Sequence, residues 1–296
     1  MIPALYGVPA PAKINWFVHV LGRRADGYHE LQTVFQFIDW FDRIDFVCRA
    51  DGVIERSGGP GLPDDDLCVR AARALQAHTG CRLGVSMHLH KSVPAQAGLG
   101  GGSSDAASTL LALNRLWGLG LTRAELLALA PALGADVPVF VFGRNAFAGG
   151  IGERLQAVEL PQWQLVVGWP GQGLPTASVF GDAALHRDTA ALEAGAFIAA
   201  QRAAGSRPVL EFGRNDLQPV AMARLPAMAA LQAWLAARGD GPPRMTGSGS
   251  AMFVAGAADA DVDVDAVPPH WRVRACRALA RHPLHDWADA VDQAAA

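Results

Sequence analysis

At 296 residues, 51% hydrophobic and 18% charged, the chain is long enough for two packed domains and apolar enough to fill their cores. A net charge of −3 gives no electrostatic footprint for nucleic acid or for an anionic membrane, and no apolar run approaches the ~20 residues of a spanning helix. The four cysteines, Cys48, Cys68, Cys81 and Cys276, show no C-x-x-C spacing, and no basic leader precedes Lys13, which points to free thiols in a reducing cytoplasm.

A neutral, proline-rich leader is expected to give way to a strand over 13–21. There Ile14, Trp16, Val18 and Val20 share one face, and Lys13, Asn15, Phe17 and His19 the other. Lys13 and Asn15 therefore point the same way, as two polar groups in an apolar strand. Of the 25 basic residues only Lys13 and Lys91 are lysines, so a compact ammonium is retained where arginine's planar fork serves less well. Asp26-Gly27 marks a turn, followed by Tyr28, one of two tyrosines, and His29; the pair is either a stacking platform for a planar ligand or an aromatic packed on a turn. Strands are expected over 31–38 and 43–48, a helix over 65–78 and a strand over 83–90. His88 and His90 share a face of that last strand, a metal pair without an evident third ligand, or simply solvated histidines.

The stretch from Val93 to Asp105 is the most informative. Gly98 and the run Gly100-Gly101-Gly102 let the backbone approach an anion, and Ser103 and Ser104 stand where they can cap a helix and donate to phosphate. Ala106, Ala107, Leu110, Leu111, Asn114 and Trp117 then recur at helical spacing, which favours an anion cradle over a flexible linker. No G-x-x-x-x-G-K-[ST] loop is present, so this is not an ordinary P-loop, and Ser103 in the sixth place from Gly98 breaks a G-x-G-x-x-G, so the dinucleotide fingerprint loses its case. A capping box at Thr122 to Glu125 opens a second helix ending at Gly134. Asp136 follows inside an apolar run; it needs a cationic partner, Lys13 being the natural one, or else caps a helix. Two short strands are expected over 145–158, then a change of texture near 157–162, a strand over 163–169, a loop leading to Thr176, alanine-rich helices up to Arg238, and a strand over 270–276. Thr246-Gly247-Ser248-Gly249 is a second glycine and hydroxyl loop, either a phosphate contact or a tight turn.

Pro11-Ala12-Lys13-Ile14-Asn15, the loop Gly98 to Ser104 and Thr246 to Gly249 together resemble the GHMP small-molecule kinases, and the likeness runs nearly end to end. Arg24 to His29 and Leu133 to Phe140 resemble the branch that phosphorylates the 2-hydroxyl of a cytidine diphosphate sugar alcohol on the methylerythritol phosphate route to isoprenoid precursors. The resemblance implies an α+β fold of two domains, 1–158 like a ribosomal-protein domain and 159–296 ferredoxin-like, with the site in the cleft between them. It implies ATP as co-substrate with Mg2+, whose ligands it leaves unknown, and a monomer or weak homodimer. Lys13 and Asp136 become the catalytic pair; Lys91 and the loop of Pro94, Ala95, Gln96, Ala97, Gly98, Leu99, Gly100, Gly101, Gly102, Ser103 and Ser104 bind ATP. Asn15 and Thr176 orient the alcohol, while Tyr28, His29 and Phe180 hold the cytosine. Two departures stand out: Gln96 and Ala97 where glycine is usual, and Asp66 where an asparagine near the adenine is common.

Overall fold

Two long antiparallel strands, β1 (Ala4–Arg23) and β2 (His29–Arg49), form the spine of the first sheet. The computed structural model describes residues 3–203, 212–256 and 267–288, so part of the expected alanine-rich helical stretch, 204–211, lies outside the described residues. β1 begins nine residues before the expected strand. It lies off the main path of the sheet and pairs only β2, a position where Pro9 and Pro11 are tolerated. The two strands expected over 31–38 and 43–48 are one, because the register shift between Pro11 and Ala12 absorbs Asp39 and Trp40 as a bulge.

The remaining order in this sheet is β3 (Ile54–Gly58), β4 (Gly84–His90), β2, β5 (Ala146–Gly149) and β6 (Arg154–Ala157). β3 was not legible in the sequence: five short, mostly polar residues that pair in parallel with β4. Four helices cover the sheet: α1 (Leu67–Thr79), α2 (Gly101–Leu116), α3 (Arg123–Leu129), with the capping box expected at Thr122, and α4 (Val137–Phe142). α2 is buried almost all round rather than on one face, since it packs on α1, α4 and β1 together. Two of its buried hydroxyls are satisfied within the protein, Ser108 Oγ donating to the Pro9 carbonyl and Thr109 Oγ1 to that of Asp105.

A second sheet has the order β10 (Arg272–Arg277), β7 (Gln164–Trp169), β9 (Met252–Ala255) and β8 (Arg244–Met245). α5 (Thr176–Phe180), α6 (Ala194–Ala203), α7 (Gln218–Arg224) and α8 (Ala227–Ala236) accompany it, α8 lying against β7 and β9. After β10 the chain returns to the first layer. Ala278 bridges to Ile38, Leu284 joins the core under α2, and Arg123 donates to the carbonyls of His285 and Ala288.

Candidate active site

A cavity of about 660 Å³ opens between the glycine loop, the middle of β1 and β2, and the loops of the second sheet. α2 starts inside the glycine run, earlier than Ser103 would have it: Gly100, at φ +73°, occupies the cap position. Ser103 and Ser104 are thus first-turn residues. Ser103 faces the cavity, while the Ser104 hydroxyl is fully buried without a partner in the protein. Pro94 to Gly98 and Gly100 to Gly102 also line the cavity; Leu99 does not, its side chain being in the core and its carbonyl taking the Lys13 amide at 3.0 Å. The free amides of α2's first turn make this end of the cavity a natural anion seat.

Lys13 reaches into the same cavity from β1. Its ammonium donates to Asn15 Oδ1 at 2.7 Å and to the Gly98 carbonyl at 2.8 Å, lies 3.4 Å from Asp136 Oδ2, and sits 5.4 Å from the centre of the Phe35 ring. The expected pair therefore meets, across more than a hundred residues. Asp136 is not buried, however: its side chain is 36% exposed, against 2% for Lys13. It stands at the cap position of α4 yet makes no capping bond, because the side chain is turned to Lys13 and the cavity instead.

The second glycine loop touches this constellation directly. Thr246 Oγ1 accepts from the Asn15 amide at 3.0 Å and lies 3.2 Å from the Gly98 carbonyl, so one buried hydroxyl braces both neighbours of the Lys13 ammonium. Ser248 lines the cavity and shares a 2.9 Å hydrogen bond with Thr176, which lines it too. The motif had announced a loop, but only the fold reveals that Thr246 supports Lys13. Asn15 Nδ2 donates to Thr33 Oγ1, which fixes the amide's orientation.

Lys91 behaves differently from a free phosphate ligand. Its ammonium is held by Asp42 at 2.5 Å and Asp105 at 2.7 Å, and Asp42 also accepts the amides of Ser92 and Val93. That cluster pins the start of α2 to the interior of β2 and the end of β4. Burial pushes the Asp105 carboxyl up, to about 7, against the pull of Lys91. Asp66 is likewise engaged: it caps α1 by accepting from Val69 and pairs with Arg56 at 2.9 Å.

At the far end Phe180 lines the cavity and packs against His29, ring centroids 5.2 Å apart. Tyr28, 60% exposed at the hairpin tip, and His29 both lie outside the cavity wall, His29 meeting it through Phe180. His88 and His90 bond Ser57 and Asp45, and among the described residues no cluster of three or more metal-ligating side chains occurs.

The family model for the GHMP kinases N terminal domain matches residues 66–144, the stretch that holds the glycine loop, α2 and Asp136. A protein of Cupriavidus necator, named 4-diphosphocytidyl-2-C-methyl-D-erythritol kinase, is 53% identical over 286 residues, 95% of this chain and 96% of its own length. One of Bordetella bronchiseptica with the same name is 49% identical over 96% of this chain and 98% of its own. The chain belongs to the 4-diphosphocytidyl-2-C-methyl-D-erythritol kinase family. A solved structure of 4-(cytidine 5'-diphospho)-2C-methyl-D-erythritol kinase superposes with a TM-score of 0.77 at 36% identity, covering 91% of this chain and 98% of that one. Homoserine kinase of Cytophaga hutchinsonii, 15% identical with a TM-score of 0.67 over 95% of this chain and 96% of its own, shares the fold alone. Membership of the 4-diphosphocytidyl-2-C-methyl-D-erythritol kinase family makes the chain a small-molecule kinase of the α+β GHMP fold, with ATP as co-substrate.

Proposed function

We propose that this chain transfers the γ-phosphoryl group of ATP to the 2-hydroxyl of 4-diphosphocytidyl-2-C-methyl-D-erythritol, in the methylerythritol phosphate route to isoprenoid precursors. The observation that carries the reading is the 3.4 Å approach of Lys13 Nζ to Asp136 Oδ2, with the same ammonium bonded to the Gly98 carbonyl of the glycine loop. Phosphoryl transfer asks a protein for alignment and charge neutralisation more than for covalent chemistry. In this reading the loop from Pro94 to Ser104 cradles the phosphates through its amides and the Ser103 hydroxyl. Asp136, open to the cavity, takes the proton of the incoming alcohol. Lys13, beside that carboxylate, stabilises oxygen charge as it builds. Asn15 and Thr176 orient the alcohol, and Tyr28, His29 and Phe180 frame the cytosine, with Tyr28 closing on the base from its exposed position. Lys91 serves the loop by position, through Asp42 and Asp105.

The donor set fits a hydrated Mg2+ that arrives with ATP better than a resident ion: the Ser103 hydroxyl lines the cavity, among the described residues no three metal-ligating side chains cluster there, and Mg2+ keeps most of its waters with one or two carboxylates and phosphates. The Ser103 hydroxyl would hold it, Asp136 being kept for the proton of the alcohol, and it would supply charge neutralisation at the β and γ phosphates. The reading takes 1–158 and 159–296 as the two domains, in a cytoplasmic monomer or weak homodimer.

The test is ADP release across a panel of alcohols, with and without the cytidyl group. Turnover of the cytidine diphosphate alcohol at least a hundredfold above homoserine, mevalonate and the free sugar alcohol is expected; equal or better turnover of any of these three would overturn the assignment.

A further inference from the structure

The rim beyond Phe180 contains an arginine that no motif singled out. Arg187, partly buried between α5 and α6, donates Nε–H to His29 Nε2 at 3.1 Å, one terminal nitrogen to the Leu185 carbonyl at 2.9 Å, and the other to the carbonyls of Phe180 and Asp182 at 3.0 and 2.7 Å. One guanidinium thus ties the start of β2 to the end of α5, where the His29 and Phe180 rings meet.

An arginine keeps all its protons, so the imidazole nitrogen that accepts from it is the bare one. A neutral imidazole has one bare nitrogen and one N–H, and the bond made by the first decides where the proton of the second sits. Burial, with Arg187 and Arg23 nearby, holds His29 below the ordinary histidine value. Near neutral pH the ring is therefore uncharged, with its single N–H on Nδ1.

We infer that Arg187 is a positioning residue for base recognition: by occupying His29 Nε2 it fixes the Nδ1–H tautomer, so the ring offers the nucleobase a donor and no acceptor. The inference rests on the reading of His29 and Phe180 as the base site. Cytosine presents two adjacent acceptors, N3 and O2, whereas uracil carries a hydrogen on N3. A ring held as donor pairs with the first and meets the second donor to donor. A site built on one fixed donor rejects the mismatched partner because a buried polar group is then left unpaired. If the ring were free to exchange its proton between nitrogens, it would present either face to either base. Arg187 removes that freedom, and with it the tolerance for uracil.

The experiment has two parts, both on the full-length enzyme. In the first, 15N-histidine labelling and two-bond 1H–15N spectra report the tautomer of His29, assigned by comparison with His29→Asn. The expected wild-type pattern is a protonated Nδ1 and a bare Nε2; the opposite tautomer, or a rapidly exchanging mixture, would overturn the inference. In the second, Arg187→Gln and Arg187→Lys are assayed with the cytidine substrate and its uridine analogue. Arg187→Gln is expected to raise KM for the cytidine substrate about tenfold, to leave KM for ATP within twofold, and to shrink the cytidine-over-uridine preference; Arg187→Lys, which keeps the cation without the fork, is expected to fall between. An unchanged preference with an unchanged His29 spectrum would refute the role. Failure of the underlying site reading looks different: His29→Ala would then leave KM for the cytidine substrate unaltered.

Discussion

Gly98 is the point where both glycine loops and the Lys13 ammonium converge, so Gly98→Ala tests the site's geometry with a single methyl group. At φ +75°, a Cβ here would lie 2.1 Å from the Thr246 carbonyl oxygen and 3.0 Å from the Gly249 amide nitrogen, both backbone atoms that cannot swing aside. Restoring ordinary contact requires the two loops to part by more than 1 Å. The left-handed backbone adds about 1–2 kcal/mol for a residue with a side chain, and overpacking about 1–3 kcal/mol, so a loss of about 2–5 kcal/mol follows. Because the Gly98 carbonyl accepts from Lys13 and lies beside Thr246 Oγ1, the shift also moves the ammonium away from Asp136. A displacement of this size costs on the order of 10²-fold in rate. Thermal unfolding and steady-state ADP release, measured on the same preparation, read the two effects separately. A variant with unaltered kcat/KM would refute the idea that the two loops jointly set the Lys13 position, whatever its melting temperature.

Three further outcomes are expected. Asp136→Asn keeps the shape of the cavity but loses the proposed proton acceptor, so kcat is expected to fall by about 10² to 10⁴ while KM for both substrates stays within a few-fold; near-normal kcat would remove Asp136 from the chemistry. Gln96 adopts φ +51°, the described chain's sole non-glycine residue in the left-handed region, so Gln96→Gly relieves strain and leaves stability unchanged or up to about 1 kcal/mol higher, and a clear drop in melting temperature would contradict this. His282 is buried against Phe37 and Phe140 with its ionisation pushed down to about 3 by burial and Arg123. Its folded value lies below the unfolded one, so the stability it contributes is present above about pH 6.5 and is lost as pH falls towards 3. His282→Asn keeps an acceptor for the Leu284 amide yet cannot titrate, and its melting temperature should depend less steeply on pH between 6.5 and 4; an identical slope would show that other groups set the acid limit.

The chemistry of this site was more legible than its supports. Lys13, Asn15 and the glycine run announce themselves by composition, because an arginine-rich chain that retains lysine twice, and a backbone stripped of Cβ atoms ahead of a helix, are local signals. Asp136 was found as an anomaly in an apolar run, for a reason only half right: it is partly open to the cavity rather than buried. Thr246, Asp42 and Arg187 act through contacts to residues far along the chain, and nothing local distinguishes such a threonine, aspartate or arginine from its neighbours. Element positions followed the same division. Periodicity located α1 and β4, the capping box α3 and a glycine turn the β5–β6 pair, whereas the start of β1 hid behind prolines that its position off the main path makes harmless. β3 has too few apolar residues to stand out before its parallel pairing with β4 is known.

The return of residues 278–288 to the first layer bears on the order of events during synthesis. Leu284 fills the core beneath α2, and Leu279 and Trp287 flank it, while the Arg123 guanidinium is engaged by carbonyls of the same segment. A ribosome must therefore release the chain through Ala288 before the half that holds α2 can seal its interior. Until then that half waits with a gap along α2, a natural foothold for a chaperone and a reason for truncations past Arg277 to accumulate as insoluble material.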